Sequence, residues 1–215
     1  MSSSNDSQSD PHSLFPPGFF SRTDESDDAV FYRPDRLVTH IDAGAIAAVG
    51  ALYEELGLSG SVLDVMSSWI SHFVTRPKEL VVLGMNRNEL AANAMADQRV
   101  VHDLNLDPQL PFPDDRFDAL TCCVSVDYLV RPIDVLRDAA RVVRGGGPVI
   151  CTMSNRCFPT KVIRGWLAIN EASRCEIVSE YFRLAGLQEI SVSLRTPPNS
   201  FGDPLYAVIG TVPRR

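Results

Sequence analysis

Strand-length apolar runs alternate with helix-like segments through most of the 215-residue chain, and this alternation limits the folds that the chain can adopt. The predicted strands are "SVLDVM", "ELVVLGM", "QRVVHDL", "FDALTCCVSV", "PVICTMS", "LQEISVSL" and "YAVIGTV". The predicted helices include "IDAGAIAAVGALYEELGL", "RNELAANAM", "IDVLRDAARVVR", "TKVIRGWLAI" and "SRCEIVSEYFRLAG". Such alternation requires right-handed crossovers and helices on both faces of a mainly parallel sheet. We therefore predict an α/β fold with a Rossmann-like, doubly wound sheet of seven strands, mostly parallel, with an antiparallel edge hairpin.

The loops that follow the parallel strands are the expected place for a ligand. In a doubly wound sheet the ligand crevice lies beyond the carboxyl ends of the strands, near the point where strand order reverses. The loops after Met66, Met85, Asp103 and Val126 are therefore expected to surround one pocket.

The N-terminal segment has a different composition from the rest of the chain. Residues 1–28 are rich in Ser, Asp, Asn and Pro, and apart from "LFPPGFF" they offer few large apolar groups. Such a segment buries too little surface to offset the entropy of ordering. We expect a disordered tail over residues 1–28 and a single domain over residues 29–215. The stretch "FYRPDRLVTHIDAG", which includes Tyr32, predicts either a lid over the pocket or a packing segment.

Charge and composition argue against several classes of partner. The formal net charge is −7, which disfavours binding to a nucleic-acid backbone. No stretch approaches the ~20 apolar residues that cross a bilayer, and the N-terminus lacks a secretion signal, so we expect a cytoplasmic protein without membrane contact. The five cysteines form no CxxC pair and no cluster with histidine at metal-ligand spacing, so no metal site is predicted.

The order of several motifs resembles a known superfamily. The motifs are "VLDV", "VVLGMN", "VVHDLN", "LPFPDDRFDAL" and "RVVRGGG". Over about residues 60–155 the chain resembles the class I S-adenosylmethionine-dependent methyltransferases, in their type 11 small-molecule branch. The resemblance implies S-adenosylmethionine as cofactor and methyl transfer to a small-molecule substrate.

The loop after the first strand departs from the superfamily pattern. Members place glycines at alternate positions after an acidic residue. Asp64 is present here, but Met66, Ser68 and Ile70 replace the glycines, which normally let the backbone approach the ligand. The hydroxyls of Ser67 and Ser68 could bond a carboxylate or cap the short helix that we expect to follow. The resemblance assigns Asp64, Met66, Ser67 and Ser68 to the cofactor.

Two further cofactor positions follow the second and third strands. The resemblance places an acidic ribose ligand where this chain has Asn86, whose amide could still accept one hydrogen bond and donate another. Asp103 stands where the superfamily contacts the adenine amino group, with Leu104 beside it. Tyr32 and Ser125 complete the predicted cofactor site.

Candidate catalytic residues follow the fourth strand and the altered loop. Methyl transfer requires an aligned nucleophile and, for some substrates, removal of a proton. Asp127 could accept that proton and Tyr128 could orient the substrate, although Asp127 could instead cap the helix that starts at Pro132. His72, in or just after the expected short helix, is a second candidate base.

Three functions remain open at this level. The first is a small-molecule methyltransferase that uses S-adenosylmethionine. The second is an enzyme of another class with a repurposed pocket on the same fold. The third is a non-catalytic binding protein whose glycine-poor loop closes the site.

Overall fold

Seven strands form one sheet in the computed structural model, which describes residues 10–197 and 201–214. The strands are β1 (Ser61–Val65), β2 (Glu79–Gly84), β3 (Gln98–Val101), β4 (Ala119–Cys123), β5 (Pro148–Met153), β6 (Gln188–Leu194) and β7 (Tyr206–Thr211). Their order across the sheet is β3-β2-β1-β4-β5-β7-β6. Strands β1 to β5 run parallel, whereas β7 pairs antiparallel with both β5 and β6. The predicted sheet and its antiparallel edge are confirmed.

Helices cover both faces of the sheet. The α-helices are α1 (Asp28–Phe31), α2 (Ala43–Glu55), α3 (Arg87–Ala92), α4 (Pro132–Val142), α5 (Arg164–Leu167) and α6 (Glu171–Leu184). Short 3-10 helices span Pro11–Leu14 and Val126–Tyr128. Among the described residues, no helix is long and apolar enough to cross a membrane.

The strands divide their side chains between two apolar layers. Because successive side chains point to opposite faces, Leu63 and Val65 of β1 pack on the side of α4 and α6, whereas Val62 packs on the side of α2. All five residues of β1 are buried, which fits a central strand covered on both faces. This burial fixes the register at the strand ends, where the candidate residues lie.

Two helix predictions differ from the structure. The segment predicted as one helix over residues 160–169 contains only α5. The short helix expected after the altered loop is absent, since residues 66–78 form turns and irregular structure.

The structure contradicts the expectation of a disordered tail for residues 10–28, the part of residues 1–28 that it describes. Residues 10–28 lie against the domain, and the rings of Phe15 and Phe20 lie 5.4 and 5.9 Å from the ring of Tyr181. Phe19 packs so close to Gly165 that a side chain there would overlap its ring. The phenylalanines bury apolar surface on α5 and α6, a gain that the composition of the segment alone does not reveal. Residues 1–9 lie outside the described residues.

A buried ion cluster also fixes this segment. Arg22 donates two hydrogen bonds of 2.8 and 2.7 Å to the carboxylate of Asp28. Nζ of Lys161, which is fully buried, lies 3.1 Å from Oδ1 of Asp28 and donates to the carbonyl of Ser26 at 2.6 Å. Buried charges require such pairing, so the cluster holds residues 22–28 against the loop before α5.

Candidate active site

A cavity of about 310 Å³ lies beyond the carboxyl ends of β1, β2 and β4. This is where a doubly wound sheet is expected to bind a ligand, and the volume is in the range of small-molecule sites. Eleven of the twelve predicted site residues line it: Tyr32, Asp64, Met66, Ser67, Ser68, His72, Asn86, Asp103, Leu104, Ser125 and Tyr128. Asp127 is the exception.

The altered loop lines the cavity and does not fill it. Met66 has a φ of +53°, so it adopts the left-handed conformation that glycine tolerates better than other residues. The carbonyl of Ser67 lies directly over Gly84, where an added Cβ would be 2.1 Å from that oxygen. Nε1 of Trp69 donates to the carbonyl of Val38 at 3.0 Å. The loop therefore has a left-handed residue at its first replaced glycine position, and its large side chains border the cavity.

Asp64 organises this loop from below. Its Oδ2 accepts hydrogen bonds of 2.7 Å from the hydroxyls of Ser67 and Ser71, and its Oδ1 accepts one of 2.8 Å from Thr121. Burial raises the pKa of Asp64, and these three hydroxyls oppose the rise. Because the Ser67 hydroxyl already donates to Asp64, its proton is not free for a ligand carboxylate, contrary to the role predicted for it.

Asn86 has both sides of its amide engaged. Its Oδ1 accepts from the backbone N–H groups of Asn88 and Glu89 and so caps α3. Its Nδ2 donates to the carbonyl of Tyr32 at 3.0 Å and to Oδ1 of Asp35 at 2.9 Å. Asn86 therefore anchors residues 32–41, a segment that we call the strap, over the cavity.

Glu89 is a cavity residue that the sequence did not single out. Its Oε1 accepts from the backbone N–H of Arg36 at 2.7 Å, and its Oε2 accepts from the hydroxyl of Ser68 at 2.5 Å. The spacing Asn-x-x-Glu from Asn86 to Glu89 is typical of a helix capping box. The sequence alone therefore favours a capping role for Glu89. In the structure, the carboxylate instead joins the strap to the loop after β1.

Asp103 and Leu104 lie at the end of β3. Oδ1 of Asp103 accepts from the backbone N–H groups of Asn105 at 2.8 Å and Leu106 at 3.3 Å, which closes a tight turn. Leu104 is buried beneath the cavity. One oxygen of Asp103 accepts both bonds, which leaves Oδ2 for a ligand donor.

Ser125, Tyr128 and His72 also line the cavity. The hydroxyl of Ser125 donates to the carbonyl of Cys123 at 2.8 Å, and the hydroxyl of Tyr128 accepts from the N–H of Phe158 at 2.8 Å. Nδ1 of His72 is buried and has no hydrogen-bond partner in the described part of the chain. Burial lowers the pKa of His72, although the Asp64 carboxyl raises it.

The structure does not place Asp127 in the cavity wall. Asp127 is buried and does not line the cavity, whereas Tyr128 beside it does. Arg131, not Asp127, occupies the N-cap position of α4. Burial raises the pKa of Asp127 to about 7. The deviation arises because residues 126–128 form a 3-10 helix, whereas the sequence predicted a strand up to residue 126.

The strap contributes a cation to the cavity, and this cation lies beside two aromatic rings from outside the strap. The guanidinium of Arg36 lies 4.6 Å from the ring centre of Phe31 and 5.6 Å from that of Phe158. Its Nη2 donates to the carbonyl of Phe31 at 2.8 Å. Among the described residues, no carboxylate forms an ion pair with Arg36, so this charge is available to an anionic ligand group. The sequence predicted either a lid or a packing segment here. In the structure the strap lies over the cavity and forms part of its wall.

Comparison with known proteins places these observations among related folds. Residues 66–151 match the family model described as "Methyltransferase domain". A SAM-dependent methyltransferase from Aquifex aeolicus superimposes with a TM-score of 0.58 at 13% identity, covering 80% of this chain and 94% of that chain. The [4+2]-cyclase SpnF superimposes with a TM-score of 0.59 at 15% identity, covering 85% of this chain and 90% of that chain. Geranyl diphosphate C-methyltransferase from Streptomyces coelicolor A3(2) gives 0.52 at 11% identity, covering 77% of each chain. Comparison with curated proteins gave no match.

Proposed function

We propose that this chain, which has the class I methyltransferase fold and matches the methyltransferase-domain family over residues 66–151, binds S-adenosylmethionine and methylates a small molecule. The observation that carries the proposal is the cavity at the ends of β1, β2 and β4, bordered by the carboxylates of Glu89 and Asp103. These carboxylates, one on α3 and the other in the loop after β3, offer acceptors to a polar, cationic nucleoside.

The residues present fit the cofactor in charge and in hydrogen-bonding capacity. Asp103 keeps one oxygen for an amino group, and Leu104 provides an apolar surface beside it. Arg36 offers a guanidinium to an amino-acid carboxylate, a pairing that takes the place of the predicted contact through Ser67. When bound, S-adenosylmethionine supplies an electrophilic methyl group on its sulfonium.

The chain's own contribution to the reaction is orientation and proton transfer. His72 lines the cavity, so it is our candidate for removing a proton from the acceptor. Tyr128 accepts a hydrogen bond through its oxygen and can donate its own proton to orient the substrate. Asp127 is proposed to act only through the position of Tyr128, since its carboxyl does not reach the cavity.

The roof over the cavity supports a small substrate. Asn86 and Trp69 each hydrogen-bond to the strap, which therefore restricts access to the strand ends. The net charge of −7 adds an unfavourable field for nucleic acid.

A different function on the same scaffold is the second candidate. The side chains of Ser67, Ser68 and Asn86 are engaged within the protein, which leaves fewer free groups for the cofactor than the resemblance implies. The [4+2]-cyclase SpnF has a similar fold, so this fold also occurs in a protein named for another class of reaction.

Calorimetric titration with S-adenosylmethionine and S-adenosylhomocysteine tests the proposal. We expect both to bind the wild-type chain, and Asp103→Asn, which keeps the turn-forming side-chain oxygen, to weaken both at least about tenfold by removing a charged acceptor. The matched control is Asp107→Asn, at an exposed position outside the cavity. Binding of neither ligand would overturn the proposal, and binding without methyl transfer to any acceptor would favour the second candidate.

A further inference from the structure

The residue expected to receive the nucleoside hydroxyls has no group left to do so. Oδ1 of Asn86 accepts two backbone hydrogen bonds from α3, and Nδ2 donates to the strap. Turning the amide toward a ligand would uncap α3 and release the strap together. A vicinal diol would therefore gain little from Asn86.

Glu89 has the chemistry that Asn86 lacks. Its carboxylate lines the same cavity, is only 9% exposed, and accepts one hydrogen bond on each oxygen. A carboxylate has about four acceptor positions, so two remain. Among residues 10–197 and 201–214, no basic side chain forms an ion pair with Glu89, which leaves its negative charge to be met by a ligand.

The two existing bonds place Glu89 between the segments that enclose the cavity. The donor to Oε1 is the backbone of Arg36 in the strap, and the donor to Oε2 is the hydroxyl of Ser68 in the loop after β1. Both donors come from segments without regular structure, whereas Glu89 itself lies on α3. A ligand bonded to Glu89 would thus be held against the loop and the strap at once.

Resting on the proposed function, we propose that Glu89 accepts the two ribose hydroxyls of the nucleoside and has replaced the residue at position 86 in that role. The two unused acceptor positions match the two O–H groups of a vicinal diol. In this proposal Asn86 holds the strap and Glu89, three residues later, accepts the diol, so the two roles fall on different residues.

Titration with S-adenosylhomocysteine and its 2′-deoxy and 3′-deoxy forms tests this assignment. In the wild-type chain, loss of either hydroxyl is expected to weaken binding about tenfold or more, the effect of a hydrogen bond to a charged group. Glu89→Gln preserves side-chain size. In this variant the dissociation constants of the three ligands are expected to differ by less than about threefold. The matched control Glu54→Gln, outside the cavity on α2, should keep the wild-type ratio.

Each outcome has one meaning. Unchanged discrimination in Glu89→Gln with intact binding of S-adenosylhomocysteine overturns the assignment and leaves the proposed function standing, whereas absence of all binding to the wild-type chain removes the proposed function itself. Asn86→Asp should not increase the preference for the hydroxyls, and a gain there would assign the role to position 86. If Glu89→Gln does not fold, Glu89→Asp should lower the preference by withdrawing the carboxylate one methylene, and an unchanged preference would contradict us.

Discussion

Ser71 donates a hydrogen bond of 2.7 Å to Oδ2 of Asp64, and its oxygen accepts one of 2.9 Å from Nδ2 of Asn93. This hydroxyl connects the buried carboxylate at the end of β1 to the residue that follows α3. Ser71→Ala removes both bonds and leaves buried polar groups without partners, so we expect the free energy of unfolding to fall by about 1–3 kcal/mol. Urea denaturation measures the change. Ser191→Ala on exposed β6 should stay within about 0.5 kcal/mol, and similar losses in both variants would contradict the account.

Lys161 tests the attachment of the N-terminal segment. Lys161→Met leaves Asp24 without this cation and Asp28 with Arg22 as its remaining partner, and the lost hydrogen bonds of the buried ammonium cost about 1–3 kcal/mol. We expect that loss in urea denaturation, together with faster proteolysis within residues 10–28. Lys78→Met is the matched control because Lys78 is exposed and forms no ion pair among the described residues. Wild-type resistance to protease in Lys161→Met would show that the phenylalanines and the Arg22–Asp28 pair hold the segment without Lys161.

Asp127 predicts a specific pH dependence of stability. Burial raises its pKa from 3.8 to about 7 in the folded chain, so the folded chain keeps a proton that the unfolded chain releases near pH 4. The stability from this proton is complete below pH 3.8 and is lost as pH rises through about 7. Asp127→Asn should flatten this decline by roughly 3–5 kcal/mol between pH 4 and 8, at about 1.4 kcal/mol per pKa unit.

The measurement for Asp127 is urea denaturation at several pH values. Asp64, whose pKa burial also raises, contributes a decline of the same sign, so the informative quantity is the difference between wild type and Asp127→Asn. Parallel curves for the two proteins would show that Asp127 does not carry the effect. Asp107→Asn, at an exposed position, should follow the wild-type curve.

The backbone at Met66 predicts an unusual order of stability. Met66→Gly and Met66→Ala remove nearly the same side-chain contacts, but only glycine adopts a φ of +53° without cost. Because a left-handed conformation costs other residues about 1–2 kcal/mol, the glycine variant should be more stable than the alanine variant by about 1 kcal/mol. On helix α2, Ala48→Gly should instead destabilise by about 0.5–1 kcal/mol. A less stable Met66→Gly would contradict the assigned backbone conformation.

The sheet could be predicted from the sequence because its strands carry their own signals. Continuous apolar runs such as 79–85 indicate strands buried on both faces, and the alternation with helices limits the connections. The same reasoning located the cavity, since all parallel strands end at one edge. The structure contains this arrangement with the antiparallel pair β6 and β7 at the far side.

Contacts distant in sequence account for what could not be predicted. Phe15 and Phe20 are ordered by Tyr181, and Asp28 by Lys161, pairings that no local pattern displays. The same limit applies to the site. Glu89 fits a capping pattern, and its contacts to Ser68 and Arg36 become visible only when the loop and the strap are placed on α3.

Asp127 shows a second limit of prediction from sequence, which concerns the side chains after β4 that line the cavity. Its position after β4 was predicted, but residues Val126–Tyr128 form a 3-10 helix in which Tyr128 lines the cavity and Asp127 does not. Sequence spacing alone does not distinguish these two outcomes.

The central claim is that the cavity at the ends of β1, β2 and β4 holds a sulfonium nucleoside. A crystal structure of the full chain grown with S-adenosylhomocysteine tests it most directly. We predict density for the ligand between the loop after β1 and the strap, with a carboxylate oxygen of Asp103 within hydrogen-bond distance. Ligand-saturated crystals in which Trp69 or the strap fills this cavity, or in which the density lies elsewhere, would contradict the claim.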